Sequence, residues 1–317
     1  MFIIGPLLVI LGLGIFILGT VVGSFINVCI YRIPWQKSVV WPGSRCPHCL
    51  RCIAARDNLP VIGWIALRGE CRSCGAAISI RYPLVEALVG LLFLGLYLVD
   101  VIHAPRGVWN QIPWIALSRL AYHALLTSLL VIATFIDYDL FIIPDEVTVT
   151  GMVLGLTIGA AIPAIRLEPA EAATPLGGLA VGFLGLLVGA GLTEGVRRLA
   201  SGLLGREAMG FGDVTLMGMI GAFLGWQAAV LTFFLAPFFG LAHAFWKLLA
   251  YLKKRATGRE VSSADREIPF GPYLSMAAMT LMLSWPWLWA GWAKGLFATM
   301  GVLFWWLMGV DVKLPED

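Results

Sequence analysis

Charge is what this sequence has least of. Only 13% of its 317 residues are Asp, Glu, Lys or Arg, 59% are hydrophobic, and the mean hydropathy is +0.87. A soluble domain carries roughly a quarter charged residues, so an ordinary soluble fold is excluded and an integral membrane protein is expected. No Asp, Glu, Lys, Arg or His occurs in the first 31 residues. A cleaved signal peptide needs a basic segment ahead of a shorter apolar core, so this stretch reads as a retained first span. The formal net charge is only +3, which gives no footing for a nucleic-acid partner. Heptads, low-complexity tracts and clear repeats are also missing, as is a glycine-rich dinucleotide loop of the Rossmann type.

What is present is a series of apolar runs, each near the roughly 20 residues a bilayer-spanning helix needs. After the first they fall at about 84–102, 115–135, 146–165, 176–196, 213–231, 233–252 and 273–293, with a short Trp-rich stretch at about 295–309. The expected fold is an all-α polytopic membrane protein of about eight transmembrane helices. The segment after the first span carries Arg32, Lys37, Arg45, Arg51, Arg56, Arg68, Arg72 and Arg81 against Asp57 and Glu70. Positive charge marks the cytoplasmic side, and the alternation then places 136–145, 197–212 and 253–272 inside as well. The last two hold Arg197, Arg198, Arg206 and Lys253, Lys254, Arg255, Arg259, Arg266, whereas the outer loops 103–114 and 166–175 hold only Arg106 and Arg166. Glycines at 151, 155, 159 and at 182, 185, 189, 191, 195 include the spacing that lets membrane helices approach closely.

Five of the six cysteines fall in that basic segment. Cys46-Pro47-His48-Cys49 and Cys71-Arg72-Ser73-Cys74 are two C-x-x-C pairs far enough apart to fold back on one another, the donor set of tetrahedral zinc. A reducing cytoplasm disfavours stable disulfides, and a segment this poor in apolar residues gains an organising staple from a metal. The expectation is a small cytoplasmic zinc-binding insertion whose closed four-thiolate shell makes the ion structural. Cys52 offers a fifth thiol and stays open as bystander, alternative ligand or member of another cluster. His48 reads as exposed, and Cys29 as a small apolar residue of the first span.

Carboxylates beside membrane spans are costly and point to function. Asp137, Asp139 and Asp145 lie within one apolar stretch ending a span, and Gly210-Phe211-Gly212-Asp213 opens another. The topology puts both clusters on the cytoplasmic side, where they can meet. Two carboxylates sharing a site hold one proton between them, so one can act as base on a water and the other as acid toward a peptide carbonyl. Gly210 and Gly212 suit a bend and a close approach. Read without that pairing, the same residues describe a loop with a helix N-cap, or a transporter that binds cations on carboxylates with the zinc module as a docking domain. An assembly factor without any reaction is a third reading.

Taken together, the motifs resemble the type IV prepilin leader peptidase family, membrane aspartyl proteases marked by GxGD. The likeness covers most of the chain: Gly23 to Val28 with Tyr31-Arg32, Cys46 to Cys49, Asp57 to Pro60, Leu67 to Cys74, Arg81 to Glu86, Asp137 to Asp145, Gly210 to Asp213, and Pro269 to Tyr273. The resemblance implies catalysis by Asp137, seven residues before Pro144, and by Asp213, with Gly210, Gly212, Pro144, Asp139 and Asp145 in supporting places. It implies cleavage of the basic leader of type IV prepilins and type II secretion pseudopilins, on the cytoplasmic face of the bacterial inner membrane. It also implies N-methylation of the new N-terminus with S-adenosylmethionine, although a peptidase lacking the methyl-transfer step is the nearest alternative. The expected organisation is a first span at 1–31, a tetra-cysteine domain at 32–83, an aspartyl protease domain at 84–310 and a tail at 311–317. The loop's basic residues fix topology and touch anionic lipid of the bilayer, while Asp139, Asp145 and Glu146 are the expected attractors of a basic leader. Asn27 is read as a helix-to-helix hydrogen-bond partner or a cofactor contact, and Glu86 as either an arginine partner or a boundary residue. His103, His123 and His243 are read as structural.

Overall fold

The computed structural model describes residues 4–103, 113–167, 174–256 and 269–308. Arg106, Arg259, Arg266 and the tail at 311–317, all used in the topology reading, lie outside the described residues. Among the described residues the ordered structure is helical, with only two isolated β-bridges, both in the cysteine module. Helix α1 runs Ile4–Arg32, the five-residue α2 lies at Ile62–Ala66 inside the module, and α3 runs Arg81–Tyr97 before a π-helical turn at Leu98–Ile102. Lipid is as apolar as leucine, so membrane helices hold together through close contact rather than water exclusion. That is how α1 meets α3: a Cβ on Gly19 would come within 2.8 Å of the Gly90 Cα, and one on Gly23 within 2.7 Å of the Glu86 Cα.

Helix α4, Pro113–Leu140, is followed by a four-residue turn and α5, Asp145–Ala161. The turn closes when the Phe141 N–H donates to the Asp137 carbonyl at 2.9 Å, with Phe141 in the left-handed region at φ 56°. Asp145 and Glu146 then occupy the first turn of α5, where negative charge suits the helix dipole. Helix α6, Pro175–Leu204, starts with the Thr174 Oγ1 accepting the Gly177 N–H at 3.1 Å and stops at Gly205, φ 65°. Then come α7 at Phe211–Leu224, α8 at Trp226–Ala256, α9 at Gly271–Leu288, a π-helical turn at Trp289–Ala293, and α10 at Lys294–Leu307.

Two expectations change. The runs at 213–231 and 233–252 divide at Gly225, whose φ of 87° ends α7 seven residues early and lets α8 begin at Trp226. Of about eight spans expected, five helices among the described residues are long and apolar enough to cross a membrane, within Pro6–Trp35, Arg81–Ile102, Trp114–Leu140, Pro175–Leu204 and Trp226–Leu249. Helices α5, α7, α9 and α10 are shorter, with 17, 14, 18 and 14 residues.

The centre of the bundle is α7, with 11 of its 14 residues buried. Glycines on both neighbours make room for it. Gly151 and Gly155 of α5 receive the Met219 and Phe223 side chains, Gly185 of α6 meets Gly221 backbone to backbone, and Gly189 lies on the Met217 carbonyl. Gly191 and Gly195, further along α6 on another face, meet open space.

Candidate active site and metal centre

Asp137 lies three residues before the end of α4 and Asp213 is the third residue of α7. The turn after α4 and the start of α7 touch, because Gly212 has no side chain: a Cβ there would sit 2.9 Å from the Ile143 Cβ. Gly210 needs no unusual dihedral, with φ at −70°, and a Cβ on it would meet nothing nearer than 3.8 Å, so the close approach expected of the two glycines falls to Gly212 and the backbone bend is not seen at Gly210. Pro144 is the extended residue that precedes α5. The two helix ends bring Asp137 and Asp213 within electrostatic reach of each other, and they are 6% and 7% exposed. Among the described residues neither has a cationic partner.

Each carboxylate is held by backbone. The Gly271 N–H, at the start of α9, donates to the Asp137 Oδ2 at 3.0 Å, and the Gly210 N–H bonds the Asp213 carboxylate. Gly271 is glycine for the same reason as Gly212, since a Cβ would come 2.6 Å from that Oδ2. Its role was missed because a partner 134 positions away leaves no local pattern; the Pro269 to Tyr273 motif was visible only as a likeness. Beside it the Tyr273 hydroxyl meets the His243 Nδ1 at 2.5 Å, which ties one of the three structural histidines to the wall of the site. His103 bonds the Leu98 carbonyl, and His123 pairs with buried Asp100 at 2.8 Å.

Asp139 is not free to attract a leader. Arg81 forks onto it, Nη1 to Oδ1 at 2.9 Å and Nη2 to Oδ2 at 2.7 Å, and lies 5.0 Å over the Phe135 ring. Asp145 and Glu146 remain exposed. Glu86 meets neither expectation. It is buried, and its Oε2 accepts the Val61 N–H at 2.7 Å, which pins the module to α3 with Val61 at φ 59°. Asn27 donates from Nδ2 to the Tyr82 carbonyl at 3.1 Å, joining α1 to α3 as read from the sequence.

The metal centre is built from one turn used twice. The Leu50 N–H returns to the Cys46 carbonyl as the Gly75 N–H does to that of Cys71, and the bridge between Arg45 and Cys52 matches that between Glu70 and Ala77. The two turns bring the Sγ atoms of Cys46, Cys49, Cys71 and Cys74 within 4.8 Å of one another, with Cys46 and Cys74 at 3.8 Å. Tetrahedral zinc with Zn–S of about 2.3 Å places its sulfurs about 3.8 Å apart, so the four thiols fit the ion. Cys52 is exposed, outside the cluster, in the place Ala77 takes in the second turn. The backbone N–H groups of Cys49 and His48 pull the Cys46 thiol down to about 6. Cys74 receives the Ala76 N–H, yet burial and its hydrogen bonds to Cys71, Cys49 and Cys46 drive it up to about 12. Four thiolates this close need a cation between them. Arg72 braces the module by bonding both oxygens of Asp57, at 2.8 and 2.7 Å, which holds that carboxyl below its ordinary range.

Chemically, a mostly buried carboxylate pair at adjoining helix ends suits general acid–base hydrolysis, and a closed four-sulfur centre suits a structural ion. Comparison with known proteins agrees in kind. Residues 17–99 match the family model described as the bacterial Peptidase A24 N-terminal domain, and residues 124–245 match that of the type IV leader peptidase family. A Myxococcus xanthus (strain DK1622) protein named prepilin leader peptidase/N-methyltransferase is 37% identical over 272 residues, covering 86% of this chain and 72% of its own. Proteins of the same name from Stutzerimonas stutzeri and Dickeya chrysanthemi are each 34% identical, over 84% and 86% of this chain and 88% and 92% of theirs. No solved structure matches the chain.

Proposed function

The chain belongs to the type IV leader peptidase family, and on that premise we propose that Asp137 and Asp213 are the pair with which it cleaves prepilin leaders. The protein is a membrane-bound prepilin leader peptidase with a second, N-methyltransferase activity. The observation that carries the residue assignment is the meeting of two nearly buried carboxylates from separate helices, with no cation beside either among the described residues. One ionised carboxylate takes a proton from a water placed between them, and the hydroxide oxygen adds to the scissile carbonyl carbon. The other, protonated, gives its proton to the carbonyl oxygen. Collapse of the tetrahedral adduct then breaks the C–N bond: the leaving amine takes the proton held by the base, and one hydroxyl of the adduct returns its proton to the other carboxylate as the C=O bond re-forms. Gly271 keeps the Asp137 carboxylate aimed at this space; Gly210 bonds the Asp213 carboxylate, Gly212 and Pro144 supply clearance and turn, and Asp139 and Asp145 brace the ends of α4 and α5.

Prepilins are the substrates the family implies, and pseudopilins of type II secretion share the leader junction the reading requires. The basic loop supports a bacterial inner-membrane location, with residues 32–83 and the carboxylates on the cytoplasmic side and the helical peptidase domain at 84–310. Zinc held by Cys46, Cys49, Cys71 and Cys74 organises the module; its filled shell leaves no position for substrate. S-adenosylmethionine is the methyl donor the second activity calls for. Among the described residues there is no parallel sheet whose crevice would cradle it in the doubly wound manner, so that mode of binding does not fit and no step is derived through it.

A carboxylate transporter is disfavoured because transporter sites lie near the bilayer midplane, whereas Asp137 and Asp213 sit at helix ends. The test is leader cleavage by purified protein in detergent. Asp137→Ala and Asp213→Ala should each lower kcat by at least about a thousandfold, the scale of losing an acid or base group; cleavage retained by either removes the pair.

A further inference from the structure

Arg166 belongs to none of this machinery and lies at the other end of α7 from Asp213. It is 1% exposed. Its Nη1 donates to the Ala222 carbonyl at 3.1 Å and the Phe223 carbonyl at 3.4 Å, in the last turn of α7. The last carbonyls of a helix have no partner within it, and the break at Gly225 removes the residues that would continue the ladder. The guanidinium also sets positive charge at the negative end of the helix dipole. The Tyr122 hydroxyl lies 3.2 Å from the same Phe223 carbonyl.

Room for this arginine is built into two other helices. A Cβ on Gly159 of α5 or on Gly182 of α6 would run into Nη2. Burying a guanidinium is costly, the more so when Nε and Nη2 have no hydrogen-bond partner among the described residues. A turn at Pro163–Ile165 folds the chain back to deliver it there. What it acts on is a rod of 14 residues, about 21 Å long at 1.5 Å per residue. A slip of one residue turns the rod by about 100° and moves it about 1.5 Å, which would swing Asp213 off Asp137.

We propose that Arg166 is a positioning residue for the peptidase reaction: by holding the last carbonyls of α7 it sets that helix's depth and rotation, and with them the placement of Asp213 against Asp137. The inference rests on Asp137 and Asp213 being the hydrolytic pair. The experiment uses full-length protein in detergent with a prepilin substrate, reading kcat, KM and the pH profile of cleavage. Methyl transfer to an already processed pilin serves as the internal control, since that step breaks no peptide bond and so does not call on the Asp137–Asp213 pair.

Arg166→Met should lower cleavage kcat at least about tenfold, as misplacement of a reacting group does, with KM within about twofold and methyl transfer unchanged. The pH profile should move, because the interaction of the carboxylates depends on their separation. Arg166→Lys, which keeps the charge but loses the fork, should fall between. A wild-type kcat in Arg166→Met, or equal loss of both activities, overturns the proposal. Should Arg166→Met fail to fold, Gly159→Ala decides, since it keeps the arginine and the added Cβ meets the Arg166 guanidinium first: selective loss of kcat supports the lock and an unchanged kcat overturns it. Asp213→Asn in the same series must abolish cleavage; if it does not, the hydrolytic pair has failed, whatever Arg166 does.

Discussion

Arg81 grips α4 on both sides of Asp137, stacking on Phe135 two residues before it and forking onto Asp139 two residues after. Both partners of the ion pair are partly exposed, so its worth to stability is about 1 kcal/mol or less. Its worth to position is larger, because small displacements of a reacting group cost rate steeply. Arg81→Asp and Asp139→Arg should therefore each lower kcat by roughly tenfold while thermal stability shifts little. The double exchange should recover most of the rate, and a double variant no better than the singles would dismiss the grip. At this scale the sequence displayed the costly groups and hid what holds them. Asp137 and Asp213 stand out because carboxylates in apolar runs are expensive. Gly271, Arg81 and Arg166 find their partners across long stretches of chain, and Arg166 reads as one more loop arginine until α5 stops at Ala161 and the chain turns inward.

Helices and turns sort glycines that composition alone leaves alike. Gly185 and Gly191 both belong to α6, but six residues set them about 120° apart around its axis, and only the first meets another backbone. Gly185→Ala should destabilise the bundle by about 3 kcal/mol or more, the upper range for forcing atoms into a filled contact. Gly191→Ala should be neutral or slightly stabilising through helix propensity; thermal unfolding in detergent separates the two. In the cysteine module, Leu50 holds φ 59° where its counterpart is Gly75 at φ 69°. A leucine there carries roughly 1 kcal/mol of left-handed strain, so Leu50→Gly should tighten metal binding a few-fold in a chelator competition. Cys71→Ser should strip the metal from purified protein, and Cys52→Ser should leave its content unchanged. The four-cysteine cluster that could hold a metal ion was legible because ligand spacing is local, as were most helices because apolar runs are. The stop at Gly225 was not, since a lone glycine among apolar residues looks like one more packing contact.

Across the molecule, the two segments matched by separate family models are stitched together by polar contacts placed at different levels. Arg81 to Asp139 joins them at the end that carries Asp137, and just outside both segments Asp100 to His123 joins the π-helical turn after α3 to α4 nearer its start. Class, membrane embedding and the order of elements could be read from composition and charge asymmetry, because burial in lipid leaves its mark on every residue of a span. That α7 stops after 14 residues could not, because it is as apolar as a span but shorter than one. That shortness has a consequence for whatever enters. A rod of about 21 Å, fastened at its far end and bearing Asp213 on its third residue, works as a depth gauge in a hydrocarbon layer about 30 Å thick. A pilin helix arriving through lipid keeps its own amides satisfied and must unwind at that one level to offer a peptide bond. With Asp213 as half of the proposed pair, the cut would fall at a fixed height along a membrane-borne helix, the junction being chosen by depth as well as by chemistry.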